Sequence, residues 1–231
     1  MDSSAITVSD LSLTYRVRRS LFGYDRVPAL KGISFHLERG EALGIIGRNG
    51  SGKSTLLRAL AGIYTPDAGS VVPHVRSIAL MTLSLGFDPV LTGRKNAIFG
   101  AMLLGASRSD AEASLEGIKE FSGLGGAFDS PVKSYSSGML SRLAFSVAIN
   151  LSPDVMLLDE VLAVGDEEFR DKAYSAMTGK IQSDQTTVLV SHSAEEIQRL
   201  CTRAILLEAG EIVDVGEPSV IVEKYRQRLN G

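Results

Sequence analysis

A chain of 231 residues corresponds to one large domain, or to a core carrying a sizeable insertion. Hydrophobic residues make up 44% and charged residues 22%, with 23 Gly and 7 Pro, a globular composition that excludes collagen, coiled coil and a disordered chain. Twenty-four Lys plus Arg against 27 Asp plus Glu leave a net charge of -3, which argues against a nucleic-acid partner. The single cysteine, Cys201, cannot form an internal disulfide and fits a reducing compartment. The first residues lack a basic start followed by an apolar segment, and no run of about 18 apolar residues occurs, so the chain is expected neither to enter nor to span a membrane by itself.

Between Ile6 and Leu37 apolar residues alternate, as in Ile6, Val8, Leu11, Leu13 and Tyr15 and later Ile33, Phe35 and Leu37. That period predicts antiparallel strands, interrupted by a basic segment from Arg16 to Pro28. The short apolar run 42–47 ends in glycine, and Leu56, Leu57 and Leu60 then follow at helical spacing, giving strand, loop, helix. From Leu91 to Ser152 the period is helical over Thr92 to Leu104, Ser109 to Leu124 and Gly138 to Leu151, and Ser109 with Glu112 forms a capping box for the second stretch. After Pro153 strand and helix alternate: strand 154–160, helix 167–181, strand 186–193, helix 194–201 and a hairpin over 204–215. Pro218 suits the first turn of a final helix with Val220, Ile221, Tyr225 and Leu229 close to one face.

Gly47-Arg48-Asn49-Gly50-Ser51-Gly52-Lys53-Ser54 satisfies G-x-x-x-x-G-K-S/T between a strand and a helix, where that phosphate-binding motif must lie. The glycines let consecutive backbone N–H groups converge on phosphate oxygens, and the following helix points its positive end at the same anion. In this reading Lys53 reaches the β- and γ-phosphates of ATP, Ser54 ligates Mg²⁺, and Thr55 completes the nucleotide-binding run. Asp159 and Glu160 end the strand 154–160, where Asp159 would hold Mg²⁺ through water and Glu160 would act as general base on the attacking water. Taken alone, a glycine-rich turn and a pair of helix-capping acids account for the same residues. Together, in this order, they point to a site that binds and hydrolyses a nucleoside triphosphate.

With these motifs and two more, the chain resembles the nucleotide-binding subunit of an ABC transporter over essentially its whole length. Ser134 to Met139 stands where that family has LSGGQ, just ahead of a helix, so the resemblance implies that Ser136, Ser137 and Gly138 cap the γ-phosphate of an ATP held by the opposite subunit. A simple Ser/Gly helix cap is the alternative. His192 matches the switch histidine that contacts the γ-phosphate, whereas His36 and His74 sit in no such motif. Val161 to Asp166 matches the D-loop, so Asp166 is a cofactor-binding candidate, and Tyr15 is the aromatic residue expected to stack on adenine, with Tyr24 in a compatible region. The family's glutamine at the junction with the helical insertion is missing: residues 1–181 contain no Gln, and Thr82 falls there.

The resemblance implies an α/β fold: a P-loop NTPase (RecA-like) core with a parallel sheet over 41–82 and 153–231, an N-terminal antiparallel β subdomain over 5–40, and an inserted α-helical subdomain over 83–152. The segments LGFDPVLTGRKN, YSSGM, DEVLAVGD and VSHS are similar to the polysaccharide-exporting branch, which serves O-antigen, capsule and teichoic acid. The function implied is the ATPase motor of such an exporter, most specifically for lipid-linked O-antigen. It would work as a homodimer sandwiching ATP, on the cytoplasmic face of the bacterial inner membrane, with two copies of a separate permease and no nucleic acid. A soluble ABC ATPase acting on ribosomes or DNA, and a metabolic P-loop kinase, are the competing classes. The stretch from Thr82 to Leu104, with Leu83, Leu85, Phe87, Ile98, Phe99 and Met102, is either the permease-docking surface or ordinary core. Sixteen residues from Gly216 to Gly231 are too few for a β-sandwich, which takes about 100, so this chain is not expected to read the polymer's terminal sugar.

Overall fold

The computed structural model describes residues 3–18, 23–81, 86–159 and 166–230. Two long strands, β1 (Ser4–Arg18) and β2 (Tyr24–Glu38), form an antiparallel hairpin, and β4 (Ala68–Pro73) adds to the other edge of β1. Over its described residues 16–18 and 24–28 the basic segment read as an interruption is instead strand: Tyr15 pairs with Val27, Arg16 with Arg26 and Arg18 with Tyr24. Its side chains are exposed, so the apolar alternation that marks a half-buried strand is absent although the backbone ladder continues. β4, which the sequence reading did not identify, lies within the 41–82 span assigned to the core yet pairs with β1.

The second sheet contains β3 (Ala42–Ile46), β5 (Ile78–Met81), β6 (Val155–Asp159), β7 (Thr186–Val190), β8 (Arg203–Glu208) and β9 (Glu211–Gly216), in the order β5-β6-β7-β3-β8-β9. All neighbours are parallel except β8 and β9. Every residue of β3 and β7 is buried, as expected for parallel strands covered on both faces. One face packs on α1 (Lys53–Leu60) and the antiparallel sheet through Ile45, Leu57, Leu157, Val188 and Leu207. The other, through Met156, Leu189 and Leu206, packs on α6 (Glu167–Gln182), α7 (Ala194–Leu200) and α8 (Pro218–Asn230). Within α8 Ile221 is buried and Tyr225 packs against the core as expected, whereas Val220 and Leu229 face outward and Val222 is buried instead.

The insertion carries α2 (Gly93–Leu103), α3 (Arg108–Ala113), α4 (Leu115–Ser122) and α5 (Ser137–Asn150) around a core of Ala97, Ile118, Phe128, Leu143 and Val147. The stretch expected as one helix from Ser109 is two, broken at Ser114, and the cap is not Ser109. Ser107 Oγ accepts from the N–H of Asp110 at 3.1 Å. Ser107 has an extended backbone and accepts two residues before the position the capping-box spacing suggested. A cluster of Phe121, Phe145 and Phe169, with centroids about 6 Å apart, fastens this unit to α6.

Candidate functional site

The phosphate loop leaves the buried end of β3 and turns tightly enough that a Cβ on Gly47 would overlap the carbonyl oxygen of Leu207. Gly52, at φ 105°, makes the reversal into α1, a conformation that side-chain-bearing residues rarely adopt. No side chain caps α1, so the N–H groups of its first turn and the positive end of its dipole open on the cleft in front of it. From behind, the N–H of Gly210, in the turn between β8 and β9, donates to the carbonyl of Ser51 at 3.0 Å, and the N–H of Lys31 donates to the carbonyl of Gly210 at 2.8 Å. The loop is thus wedged between both sheets.

A cleft of about 550 Å³ lies over this loop, lined by Asn49, Gly50, Gly52, Lys53, Ser54 and Thr55, by Asp159, and by Tyr15, Val27, Pro28 and Ala29. Lys53, 7% exposed, donates through Nζ to the carbonyls of Gly47 at 2.8 Å and Arg48 at 3.1 Å. Gly47 and Arg48 therefore shape the loop and hold the lysine rather than line the cleft, and Ser51 is buried beneath it. Ser54 Oγ donates to Asp159 Oδ1 at 3.3 Å, bringing together two side-chain oxygens from α1 and β6 at the cleft. Tyr15 Oη shares a hydrogen bond with Thr55 Oγ1 at 2.9 Å, and its ring meets Tyr64 edge-on at 5.9 Å. The aromatic candidate is therefore Tyr15, while Tyr24 lies exposed at the far end of β2.

His192, exposed, follows β7 by two residues, and in the sheet Val190 pairs with Asp159. The switch-histidine candidate thus emerges on the edge of the sheet where Asp159 meets the cleft. His74 Nε2 bonds Thr7 Oγ1 at 3.1 Å and His36 Nε2 lies 3.5 Å from Glu38 Oε1, both in the antiparallel sheet, in line with a structural role for these two. Glu160 and Thr82 lie outside the described residues, as do residues 161–165 of the D-loop candidate.

Ser136, Ser137, Gly138 and Asp166 do not line the cleft. Ser136 caps α5, accepting from the N–H of Met139 at 3.2 Å, and leaves Ser136 and Ser137 exposed. Asp166 caps α6, accepting from Phe169 N–H at 3.0 Å, and lies 3.5 Å from Arg142 of α5, whose guanidinium also covers the Phe169 ring. The sequence reading missed Val27, Pro28 and Ala29, the wall beside Tyr15. Val27 lies across the hairpin from Tyr15 and Pro28 from Thr14, both at the end of the segment from Arg16 to Pro28 that interrupts the apolar alternation and so hides their pairing.

A central parallel sheet, a glycine-built phosphate loop opening on a helix N-terminus, and a carboxylate at the end of a second strand define a P-loop NTPase domain. The chain belongs to the ABC transporter family, whose model matches residues 30–163, more than half of its length. It is 45% identical over 202 residues to the ABC transporter protein AbcA of Aeromonas salmonicida, covering 87% of this chain and 66% of that protein. It is 40% identical to the O-antigen export system ATP-binding protein RfbB of Myxococcus xanthus, covering 96% of this chain and 51% of that one. It is 38% identical to the teichoic acids export ATP-binding protein TagH of Enterococcus faecalis, over 87% of this chain and 45% of that one. The chain therefore spans about half to two thirds of the length of these relatives. The solved ATP-binding cassette MJ0796, a dimer with ADP and phosphate, has the same fold at a TM-score of 0.72 and 20% identity, over 92% of this chain and 98% of that one.

Proposed function

We propose that this chain is the ATP-binding and hydrolysing motor subunit of an exporter that moves a cell-surface polysaccharide, lipid-linked O-antigen being the cargo its relatives' names favour. The observation that carries the ATPase reading is the convergence of Lys53, the Ser54–Asp159 pair and Tyr15 on one cleft. ATP lies with its base against Tyr15 and Val27, its phosphates along the loop from Asn49 to Lys53, and its γ-phosphate towards Asp159 and His192. The Ser54 hydroxyl and Asp159 carboxylate, adjacent oxygens on an anion-binding cleft, fit a divalent cation such as Mg²⁺, which when bound neutralises charge on the β- and γ-phosphates. Water attacks the γ-phosphorus, Glu160 takes its proton, and the bond to the bridging oxygen breaks to leave ADP and phosphate.

Ser136, Ser137, Gly138 and Asp166 act in this reading on the nucleotide of a second copy, which accounts for their distance from the chain's own cleft. The permease, a separate membrane protein in two copies, docks in the groove between the core and the helical insertion, along the stretch from Thr82 to Leu104. Of the stretch proposed for it, Phe87 and Ile98 pack on the helical core, whereas Phe99 is 53% and Leu103 73% exposed. Leu83 and Leu85 lie outside the described residues. Among the described residues no helix is long and apolar enough to cross a membrane, and the proposed place is peripheral, at the cytoplasmic face of the inner membrane. The names of similar proteins from both O-antigen and teichoic acid export keep teichoic acid as the second cargo.

Replacing Glu160 by Gln tests the motor: ATP binding persists, turnover falls at least about tenfold, and ATP with Mg²⁺ drives a dimer seen by gel filtration. Wild-type turnover, or a monomer throughout, counts against it. Pull-down of a multispanning permease with the chain separates a transport motor from a soluble ABC ATPase.

A further inference from the structure

The turn that carries His192 is held by a hydroxyl that does not line the nucleotide cleft. Ser191 is 3% exposed; its Oγ donates to Glu196 Oε2 at 2.6 Å and accepts from the backbone N–H of Ser193 at 3.0 Å. A serine hydroxyl has a single proton, so giving it to the carboxylate leaves a lone pair for the Ser193 N–H and fixes the direction of both bonds. The bond to the carboxylate is short and charge-assisted, the stronger kind. Ser193 closes the loop by accepting from the N–H of Glu196 at 3.3 Å through its own Oγ. His192 stands exposed at the apex of this ring of three residues.

The far side of the ring is anchored to the same strand that feeds the phosphate loop. Ile197, next to Glu196 on α7, is fully buried, and its methyl groups lie so close to Gly44 of β3 that a Cβ there would sit 3.0 Å from them. Glu196 is therefore fixed relative to β3, Ser191 relative to Glu196, and the peptide after His192 relative to Ser191.

We infer that Ser191 and Glu196 are positioning residues for His192: carboxylate holds hydroxyl, hydroxyl holds the backbone beyond the histidine, and the imidazole is thereby presented at the γ-phosphate end of the cleft. The inference rests on the proposed role of His192. Replacing Ser191 by Ala frees the Ser193 N–H and the Glu196 carboxylate together. A second, independent route is Glu196→Ala, with Glu196→Gln as the conservative variant that keeps an acceptor oxygen.

The test is steady-state ATP hydrolysis by the full chain, with KM and kcat separated. Ser191→Ala and Glu196→Ala should each lower kcat about tenfold with KM for ATP near the wild-type value, and Glu196→Gln should recover most of the loss. In a His192→Ala background neither change should lower kcat further, because groups acting through one residue are not additive. Wild-type kcat in both single variants, or losses that simply add to that of His192→Ala, would overturn the positioning role. If Ser191→Ala does not fold, the Glu196 variants in the two backgrounds decide alone. Wild-type hydrolysis by His192→Ala is a different failure, since it removes the role of His192 itself and the positioning role with it.

Discussion

Ser54 Oγ and Asp159 Oδ1 meet at 3.3 Å although 105 positions separate them, and the strands that deliver them, β3 and β6, are not neighbours but lie on either side of β7. The contact exists because parallel strands release their following loops at one edge of the sheet, so that the ends of β3 and β6 reach the same cleft. A hydroxyl and a carboxylate placed in this way suit a hard divalent cation better than a protein-only hydrogen bond. Replacing Asp159 by Asn should leave the fold intact and raise the Mg²⁺ concentration for half-maximal ATP hydrolysis at least about tenfold. A Mg²⁺ titration with an unchanged midpoint contradicts the assignment.

Lys53 is held by two carbonyls of its own loop, within reach of a phosphate that would replace them. Among the described residues Lys53 carries the one ammonium that lines the cleft, so with Lys53→Ala the affinity for a fluorescent ATP analogue should fall at least about tenfold while the melting temperature stays within a few degrees of wild type. Equal affinity in a fluorescence titration would contradict a phosphate-binding role for this lysine.

Gly47→Ala should damage stability as well as binding. The added methyl would strike the carbonyl oxygen of Leu207 in β8, backbone that cannot move without disturbing the β3–β8 ladder. Urea unfolding should show a loss of about 1–3 kcal/mol, the typical range for overpacking a well-packed site. A midpoint equal to wild type would mean that the loop relaxes freely.

Cys201 packs over Gly44 of β3, and burial, helped by the charges of Glu196 and Glu41, pushes its thiol up to about 12. The thiolate is the reactive form, so a disulfide reagent at pH 8 should label the native protein far more slowly than the urea-unfolded chain. The shift has a sign for stability. The folded state holds the proton more tightly than the unfolded one, so the contribution is present below the ordinary thiol value of 9.0 and is lost as pH rises towards about 12. Cys201→Ser should flatten the part of the alkaline stability profile due to this group.

The elements that sequence analysis located well are those with a local signature. The buried runs of β3, β6 and β7 are continuous apolar stretches, α2 follows the Thr92 cap and α5 the Ser136 cap, and the phosphate loop is a contiguous string from Gly47 to Ser54. The elements it missed lack such a signature. β4 is largely exposed and is a strand because β1 supplies its hydrogen bonds, and the tip of the β1–β2 hairpin carries Arg16, Arg18 and Arg26 where alternation would need apolar residues. Ser107, Ser109 and Ser114 are equally good caps by composition, and packing of Ala111 and Ile118 into the helical core selects between them.

The sequence by itself determined the chemistry on offer: a loop able to bind phosphate, a lysine and a serine fixed beside it by spacing, an acid at a strand end and a histidine at another. Those facts are local, because glycine conformation, helix polarity and strand hydrophobicity act over a few residues. Tertiary structure decided what these groups face. Strand order set Asp159 against Ser54, the hairpin pairing set Val27 and Pro28 beside Tyr15, and packing of α7 on Gly44 set Glu196 where it can grip Ser191. Each of these contacts joins residues through sheet pairing or core packing, whose outcome depends on the whole chain rather than on any window of it.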